Sequence, residues 1–246
     1  MSDRLAGKVV IVTGGTRGMG EAEVRGIVAH GGCVVFGGRD EAAGNAIAAD
    51  LGERAIFVPQ DVAVKADWER IVGTAIDRFG RIDGLVNNAG YASSQPLRAV
   101  SAEEIAKSIE INQIGVLLGM QHVESAMREA GSGSIVNIAS PAGIRAHRGL
   151  SVYGGTKAAV IAMSRAVAAE LAPKNIRVNI IVPGFFATRL LLDSSNGQGV
   201  AMGAERTPMR RVAQPDEIVG PVVFLLSDES SFVTGATLAV DGGYTM

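Results

Sequence analysis

Cysteine occurs once in 246 residues, at Cys33, which excludes an intrachain disulfide framework and a cysteine-rich metal site. The three histidines, His30, His122 and His147, lie far apart without paired ligand spacing, so no metal site is indicated. Charge of one sign is scarce too. The net charge is −2 with no long basic or acidic run, so neither a nucleic acid nor a membrane surface is an expected partner. No apolar run reaches the roughly 20 residues that span a bilayer. The first apolar stretch, Lys8–Val12, is short and runs straight into glycines, unlike a secretion signal. A soluble intracellular protein, cytoplasmic by default, is expected. Low-complexity tracts, linker-like composition shifts and internal repeats beyond a βα alternation are also missing, so residues 1–246 read as one domain.

What the chain has is apolar residues (47%) and few charges (20%), enough for a sizeable core. Short β-branched runs alternate with helical patterns. Strands are expected at Lys8–Thr13, Cys33–Gly37, Ala55–Pro59, Gly84–Asn87, Ser134–Ala139, Arg177–Val182 and Thr237–Val240. Helices are expected at Gly18–His30, Glu41–Leu51, Ala66–Phe79, Ala102–Arg128, Val152–Leu171 and Pro215–Leu226, with Phe185 to Met209 as a looser segment. The strand runs are continuously apolar, which requires both faces to be covered. The fold class is therefore α/β: a Rossmann fold with a doubly wound, seven-stranded parallel sheet and helices on both faces. Cys33 and Trp68 read as packing residues.

Strand one ends in Thr13-Gly14-Gly15-Thr16-Arg17-Gly18-Met19-Gly20. Glycines at 14, 18 and 20 let the backbone approach a ligand, and the following helix offers free N–H groups to a pyrophosphate. The spacing is G-x-x-x-G-x-G rather than the commoner G-x-G-x-x-G. Strand two ends Gly37-Gly38-Arg39-Asp40. The slot in which NAD-binding units carry an acidic residue holds Gly38. Arg17 and Arg39 flank it, and guanidinium groups pair with phosphate. NADPH is expected in preference to NADH, and Gly38→Asp is expected to move that preference toward NADH. The alternative is that both arginines are surface charges and Asp40 turns inward to fill the acidic role.

Ser151-Val152-Tyr153-Gly154-Gly155-Thr156-Lys157 opens a long apolar-periodic run. Residues four apart share a helix face, so the Tyr153 phenol and the Lys157 ammonium point into the same space. A phenol with an ordinary pKa of about 10 is a poor proton donor and acceptor at neutral pH. A nearby positive charge is expected to pull it down.

These motifs, in this order, resemble the short-chain dehydrogenase/reductase family over nearly the whole chain. The set is Thr13-Gly14-x-x-x-Gly18-x-Gly20, Gln60-Asp61-Val62, Asn87-Asn88-Ala89-Gly90, Asn112, Ser140 thirteen residues before Tyr153, Tyr153-x-x-x-Lys157, Pro183-Gly184-x-x-x-Thr188 and Asp241-Gly242-Gly243. The resemblance implies roles. Tyr153 is the general acid in reduction. Lys157 lowers its pKa and holds the nicotinamide ribose. Ser140 hydrogen-bonds the substrate oxygen, and Asn112 holds a water that links Lys157 to solvent. Asp61 contacts the adenine with Val62 beside it. Asn88, Ala89 and Gly90 line the cofactor cleft, together with Pro183 and Gly184, and Thr188 binds the carboxamide. Pro141 after the serine, Gln113 after Asn112 and Arg210 in place of a frequent glycine depart from the family pattern.

The segment from about 184 to 209 is the expected substrate lid, carrying Phe185, Phe186, Leu190, Leu191, Leu192 and Met202. Apolar lid residues suggest a hydrophobic ketone or secondary alcohol. Tyr91, Pro141, Ala142, Phe185 and Phe186 are the candidate substrate contacts. Arg145, His147 and Arg148 are expected on a solvated or interfacial loop, and the C-terminal Val240–Met246 against a neighbouring subunit. The resemblance also implies a homotetramer. Three alternatives to an NADPH-dependent carbonyl reductase or alcohol dehydrogenase stand. Two are an NAD(H)-dependent hydroxysteroid-type dehydrogenase and a β-ketoacyl-type reductase. The third is a non-catalytic dinucleotide-binding regulator, expected to have lost Tyr or Lys from the pair.

Overall fold

The computed structural model of the chain describes residues 3–189, 191 and 198–246. Leu190, Leu192 and the stretch 194–197 expected in the lid lie outside the described residues. The described chain forms one seven-stranded sheet in the order β3-β2-β1-β4-β5-β6-β7. All six pairings are parallel. The strands are β1 (Val9–Thr13), β2 (Cys33–Gly38), β3 (Ala55–Pro59), β4 (Gly84–Asn87), β5 (Gly133–Ile138), β6 (Ile176–Pro183) and β7 (Thr237–Val240). This is the expected Rossmann architecture, and the order reverses beside β1. In open α/β sheets such a switch point opens a crevice at the strand carboxyl ends.

Eight α-helices are described: α1 (Gly18–Ala29), α2 (Glu41–Leu51), α3 (Lys65–Phe79), α4 (Ala102–Ile109), α5 (Gly115–Glu129), α6 (Ser151–Leu171), α7 (Gly199–Arg206) and α8 (Val219–Leu226). Each buries one stripe. In α3 that stripe is Trp68, Ile71 and Ala75, spaced three and four apart, and the helix stops at Gly80 in a left-handed conformation (φ 76). Trp68 is fully buried, and its Nε1 donates to the Val62 carbonyl at 2.8 Å. Cys33 is half-buried against the core.

The two sheet faces carry separate cores. One packs α3, α5 and α6, with Trp68, Val123 and Val160 at its centre. The other packs α1 and α8, with Ile27, Phe36 and Val222. Three elements differ from expectation. The single helix expected over Ala102–Arg128 is interrupted by a π-turn at Glu110–Ile114. The last helix begins as a 3-10 turn at Pro215–Ile218, closed by a capping box between Gln214 and Glu217. The looser segment contains α7, a short helix whose glycines hid its periodicity.

Candidate active site

The carboxyl ends of β1, β2 and β4 meet at the glycine turn. A Cβ at Gly20 would stand 2.2 Å from the Gly14 carbonyl oxygen, and one at Gly14 would stand 3.0 Å from Ala89 Cα. Only glycine admits that approach. Arg17 occupies the N-cap of α1 with extended backbone and makes no side-chain cap, so the helix keeps its first N–H groups for a ligand. Asn88 Nδ2 donates to the carbonyls of Thr13 (3.0 Å) and Gly14 (3.3 Å), and Ala89 N donates to Thr13 Oγ1 at 3.0 Å. Asn88, expected to line the cleft, thus lashes the turn to β4. Thr188 lies against the turn as well, 3.3 Å from where a Gly18 Cβ would be.

At the end of β2, Arg39 and Asp40 are exposed, as is Arg17 in the turn. Asp40 does not turn inward: its carboxylate caps α2, accepting from Ala43 N at 3.0 Å. The slot at Gly38 is covered by Thr16, whose Cγ2 is 2.6 Å from where a Cβ would stand. Gly38→Asp alone therefore forces Thr16 aside, so it does not report cleanly on cofactor choice. After β3, Asp61 accepts from Ala63 N (3.0 Å), and Val62 packs its side chain into the core. Gln60 is buried, and among the described residues its amide has no hydrogen-bond partner.

The second half of the site forms where β5 meets α6. Ser140 caps a 3-10 turn at Pro141–Gly143 and accepts from Ala142 N at 3.2 Å. This turn lies directly on α6. A Cβ at Gly154 would meet the Ala142 oxygen at 2.7 Å, and one at Gly143 would meet the Lys157 carbonyl carbon at 2.7 Å. That close seating sets Ser140 beside Tyr153. Lys157 is 3% exposed. Its Nζ donates to the Ile138 carbonyl at 2.8 Å and lies 6.0 Å from the Tyr153 ring centroid.

Asn112 sits in the π-turn, fully buried. Its Oδ1 accepts from Tyr91 N at 2.8 Å, and its Nδ2 donates to Tyr91 O (2.8 Å) and Thr156 Oγ1 (3.0 Å). A Cβ at Gly90 would stand 3.4 Å from Lys157 Nζ and 3.6 Å from Asn112 Oδ1, so glycine keeps the space between them open. Beneath lies a closed polar chain. Asn87 donates to Asn137 (2.8 Å), Asn137 to Ser164 (2.8 Å), and Ser164 to the Val160 carbonyl (2.6 Å).

A nucleotide cradle and a Ser-Tyr-Lys cluster thus share one edge of the sheet. The family model described as enoyl-(acyl carrier protein) reductase matches residues 14–245. A 3-alpha-(or 20-beta)-hydroxysteroid dehydrogenase of Mycobacterium bovis is 42% identical over 99% of this chain and 91% of its own length. An NADP-dependent (R)-specific alcohol dehydrogenase of Lentilactobacillus kefiri is 38% identical over 100% and 99%. The crystal structure of a short-chain dehydrogenase/reductase of Brucella melitensis, titled glucose/ribitol dehydrogenase, superposes with a TM-score of 0.94 at 33% identity, covering both chains fully. The chain belongs to the short-chain dehydrogenase/reductase family. As a member it is an oxidoreductase of the alcohol dehydrogenase type, working on an alcohol/ketone pair with a nicotinamide cofactor.

In this short-chain dehydrogenase/reductase, the electrostatics differ from expectation. Burial pushes the Tyr153 phenol up from its ordinary range, and the Ser140 hydroxyl beside it only partly offsets this. The Lys157 ammonium, expected to pull it down, does not offset that burial. Instead burial brings Lys157 itself down to about 8. Phe186 is corrected as a substrate contact. It is 3% exposed, packs into the α1/α8 core and bridges to Ala213, because the segment after β6 turns that ring inward. Pro141 is buried under the serine turn. Tyr91 turns its side chain to α4: its hydroxyl donates to Glu104 at 3.1 Å, and Lys107 Nζ lies 4.2 Å from the ring centroid. Arg210 adopts a left-handed backbone (φ 56), which explains why glycine is frequent there. Thr13 and Thr156 are supports that sequence reasoning passed over, while Thr16, expected in the cofactor cradle, covers Gly38. Each acts on a backbone or glycine neighbour, and only the fold reveals that.

Proposed function

We propose that this protein is an NADPH-dependent carbonyl reductase/alcohol dehydrogenase acting on a hydrophobic ketone or secondary alcohol, with Ser140, Tyr153, Lys157 and Asn112 as its catalytic set. The observation that carries this is the grouping of Ser140, Tyr153 and Lys157 where β5 meets α6, with the Lys157 Nζ held at the Ile138 carbonyl. The nicotinamide supplies or accepts the hydride when bound. Ser140 Oγ and the Tyr153 hydroxyl converge on one point and hold the substrate oxygen there. As that oxygen gains negative charge, both donors strengthen their bonds to it. Tyr153 gives up its proton to it. A phenol held above its usual pKa stays protonated throughout the neutral range, which suits an acid working in the reducing direction. Lys157 and Asn112, facing each other across Gly90, lie on the route that resupplies the proton.

The glycine cradle, with Gly14, Thr16, Arg17, Gly18, Met19 and Gly20, fits a dinucleotide. The orphaned Gln60 amide beside Asp61 fits a polar base edge. Among the described residues no ion pair engages Arg17 or Arg39, and Asp40 is used as a cap, which favours a 2′-phosphate over a 2′-hydroxyl. The Lentilactobacillus relative is NADP-dependent by name. The substrate class draws support from relatives named cyclopentanol dehydrogenase and hydroxysteroid dehydrogenase. An acyl-carrier partner would want a basic docking patch, for which Arg128, Arg145 and Arg148 are the candidates; it is less favoured because Arg128 is engaged with Glu124 and Arg145 with the C-terminal tail.

No described helix is long and apolar enough to cross a membrane, and we place the protein in the cytoplasm as one domain with its lid at about 184–209. Exposed Ile105, Ile114 and Leu117 on α4–α5, and Phe232 and Leu238 near β7, support assembly as a homotetramer. The test is consumption of NADPH and NADH, side by side, against cyclic ketones, aryl ketones and ketosteroids. Tyr153→Phe should lose at least about 100-fold in kcat while NADPH binding persists. Replacing both Arg17 and Arg39 by alanine should weaken NADPH at least about tenfold and leave NADH unchanged. Turnover with NADH alone sinks the cofactor assignment, and activity surviving in Tyr153→Phe sinks the mechanism.

A further inference from the structure

The C-terminal tail carries a side chain that none of the roles above uses. Tyr244 is 9% exposed. The His147 imidazole stacks on its ring, with centroids 5.9 Å apart and planes at 12°. Phe185 meets the same ring edge-on at 4.9 Å. The Arg145 guanidinium lies 5.3 Å from the ring centroid and donates a hydrogen bond to the Tyr244 carbonyl. The tail is itself fixed. Asp241 accepts from Gly243 N (2.9 Å), Thr245 N (2.8 Å) and Thr245 Oγ1 (2.6 Å). The Tyr244 hydroxyl is 3.5 Å from both His147 ring nitrogens, at the limit of bonding, so the ring rather than the hydroxyl makes the junction.

The positions of these partners give the junction its meaning. Arg145 and His147 belong to the loop that leaves Ser140. Phe185 begins the segment that leaves β6. These two segments leave the carboxyl ends of neighbouring strands, β5 and β6, and loops at such ends are mobile unless packed. The loop has one other described backbone tether at its far end, Gln95 N to Gly149 O at 2.9 Å. One aromatic ring therefore joins the segment that leaves β5 to the segment that leaves β6. The tail expected against a neighbouring subunit is occupied within its own chain.

We propose that Tyr244 is a positioning residue for the substrate: it clasps the loop after Ser140 to the base of the lid and so fixes the width of the cleft. This deepens the functional reading above and rests on it. The clasp makes no described contact with the glycine turn or with Arg17 and Arg39, so loss of Tyr244 should act on substrate binding and spare NADPH.

The experiment uses the full chain as wild type, Tyr244→Ala, Tyr244→Phe and His147→Ala, with cyclopentanone as probe and trypsin as a second probe. Tyr244→Ala should raise the ketone KM at least about tenfold, with kcat within about threefold and the KM for NADPH unchanged. Tyr244→Phe should restore wild-type KM, because the ring makes the contacts, and His147→Ala should show the same change in smaller degree. Trypsin should cut after Arg145 or Arg148 at least about tenfold faster in Tyr244→Ala than in wild type. A ketone KM within about twofold of wild type in Tyr244→Ala, or equal losses in the Phe and Ala variants, overturns the proposal. If Tyr244→Ala does not fold, an unchanged KM and trypsin rate in His147→Ala overturn it instead. Should wild type reduce no ketone, the functional reading fails, while the trypsin comparison still decides the clasp.

Discussion

Among the described residues the two least exposed charged-type side chains, Glu23 and Lys157, lie on opposite faces of the sheet and are treated differently. On the α3/α5/α6 face, Lys157 has a carbonyl partner at 2.8 Å, and the asparagine chain beneath it is closed from Asn87 to Ser164. On the α1/α8 face, Glu23 is 1% exposed and neither carboxylate oxygen has a partner among the described residues. An unpaired buried carboxylate costs several kcal/mol, far more than taking up a proton. Burial accordingly raises Glu23 well above the ordinary range, and it is held as the neutral acid. Lys157 keeps a titration near 8, within reach of working pH. The difference separates a charge the fold maintains for use from one it merely tolerates.

The largest way to break this contrast is to neutralise the maintained charge. Lys157→Met should lower kcat by about 100-fold or more while the protein keeps its native circular dichroism; a change under about threefold would show that the ammonium is dispensable. Next is the closed chain below it. Asn137→Ala strands the Asn87 amide and removes the donor to Ser164, and should lower the unfolding free energy by roughly 2–4 kcal/mol in urea titration. The tolerated charge should give the opposite sign. Glu23→Leu, similar in size, should raise stability by roughly 1–3 kcal/mol, and a destabilised variant would mean that Glu23 has a partner after all.

The smallest effect is a slope. Glu23 is raised in the folded state, so stability falls as pH rises from the unfolded glutamate value, about 4.3, toward the folded one. Lys157 is lowered, so stability rises from about pH 8 toward the unfolded lysine value. Each contributes at most about 1.4 kcal/mol per pH unit. Glu23→Leu should remove the first slope and leave the second, as read from melts across pH.

The parts of this molecule legible in the sequence are those written locally. The glycine turn, the Tyr153–Lys157 spacing and the continuously apolar strands follow from residue type and interval, and the parallel sheet follows from them. What the sequence hid depends on partners distant along the chain. Glu23 sits at a helix position that reads as an ordinary polar residue until the fold buries it. Thr16 blocks Gly38 because β2 lies beside the turn, and Asp40 is removed from the cofactor question by a local cap that competes with the inward pose. Phe186 looked like a lid residue because nothing in its neighbourhood announces the bridge to Ala213. The upward shift of Tyr153 reflects how deeply α6 is covered, which spacing does not encode.

The π-turn at Glu110–Ile114 has one further consequence, in the arithmetic of helical phase. Each residue of an α-helix turns about 100°, so an added residue normally rotates everything beyond it. A π-turn absorbs the extra residue locally, and α4 and α5 keep the phases they would have in an unbroken helix. Losing the codon for Gln113 should thus leave Val116, Met120 and Val123 facing the core, while the amide of Asn112 is drawn back from Tyr91 and Thr156. A single in-frame deletion would yield a protein that folds and does not turn over.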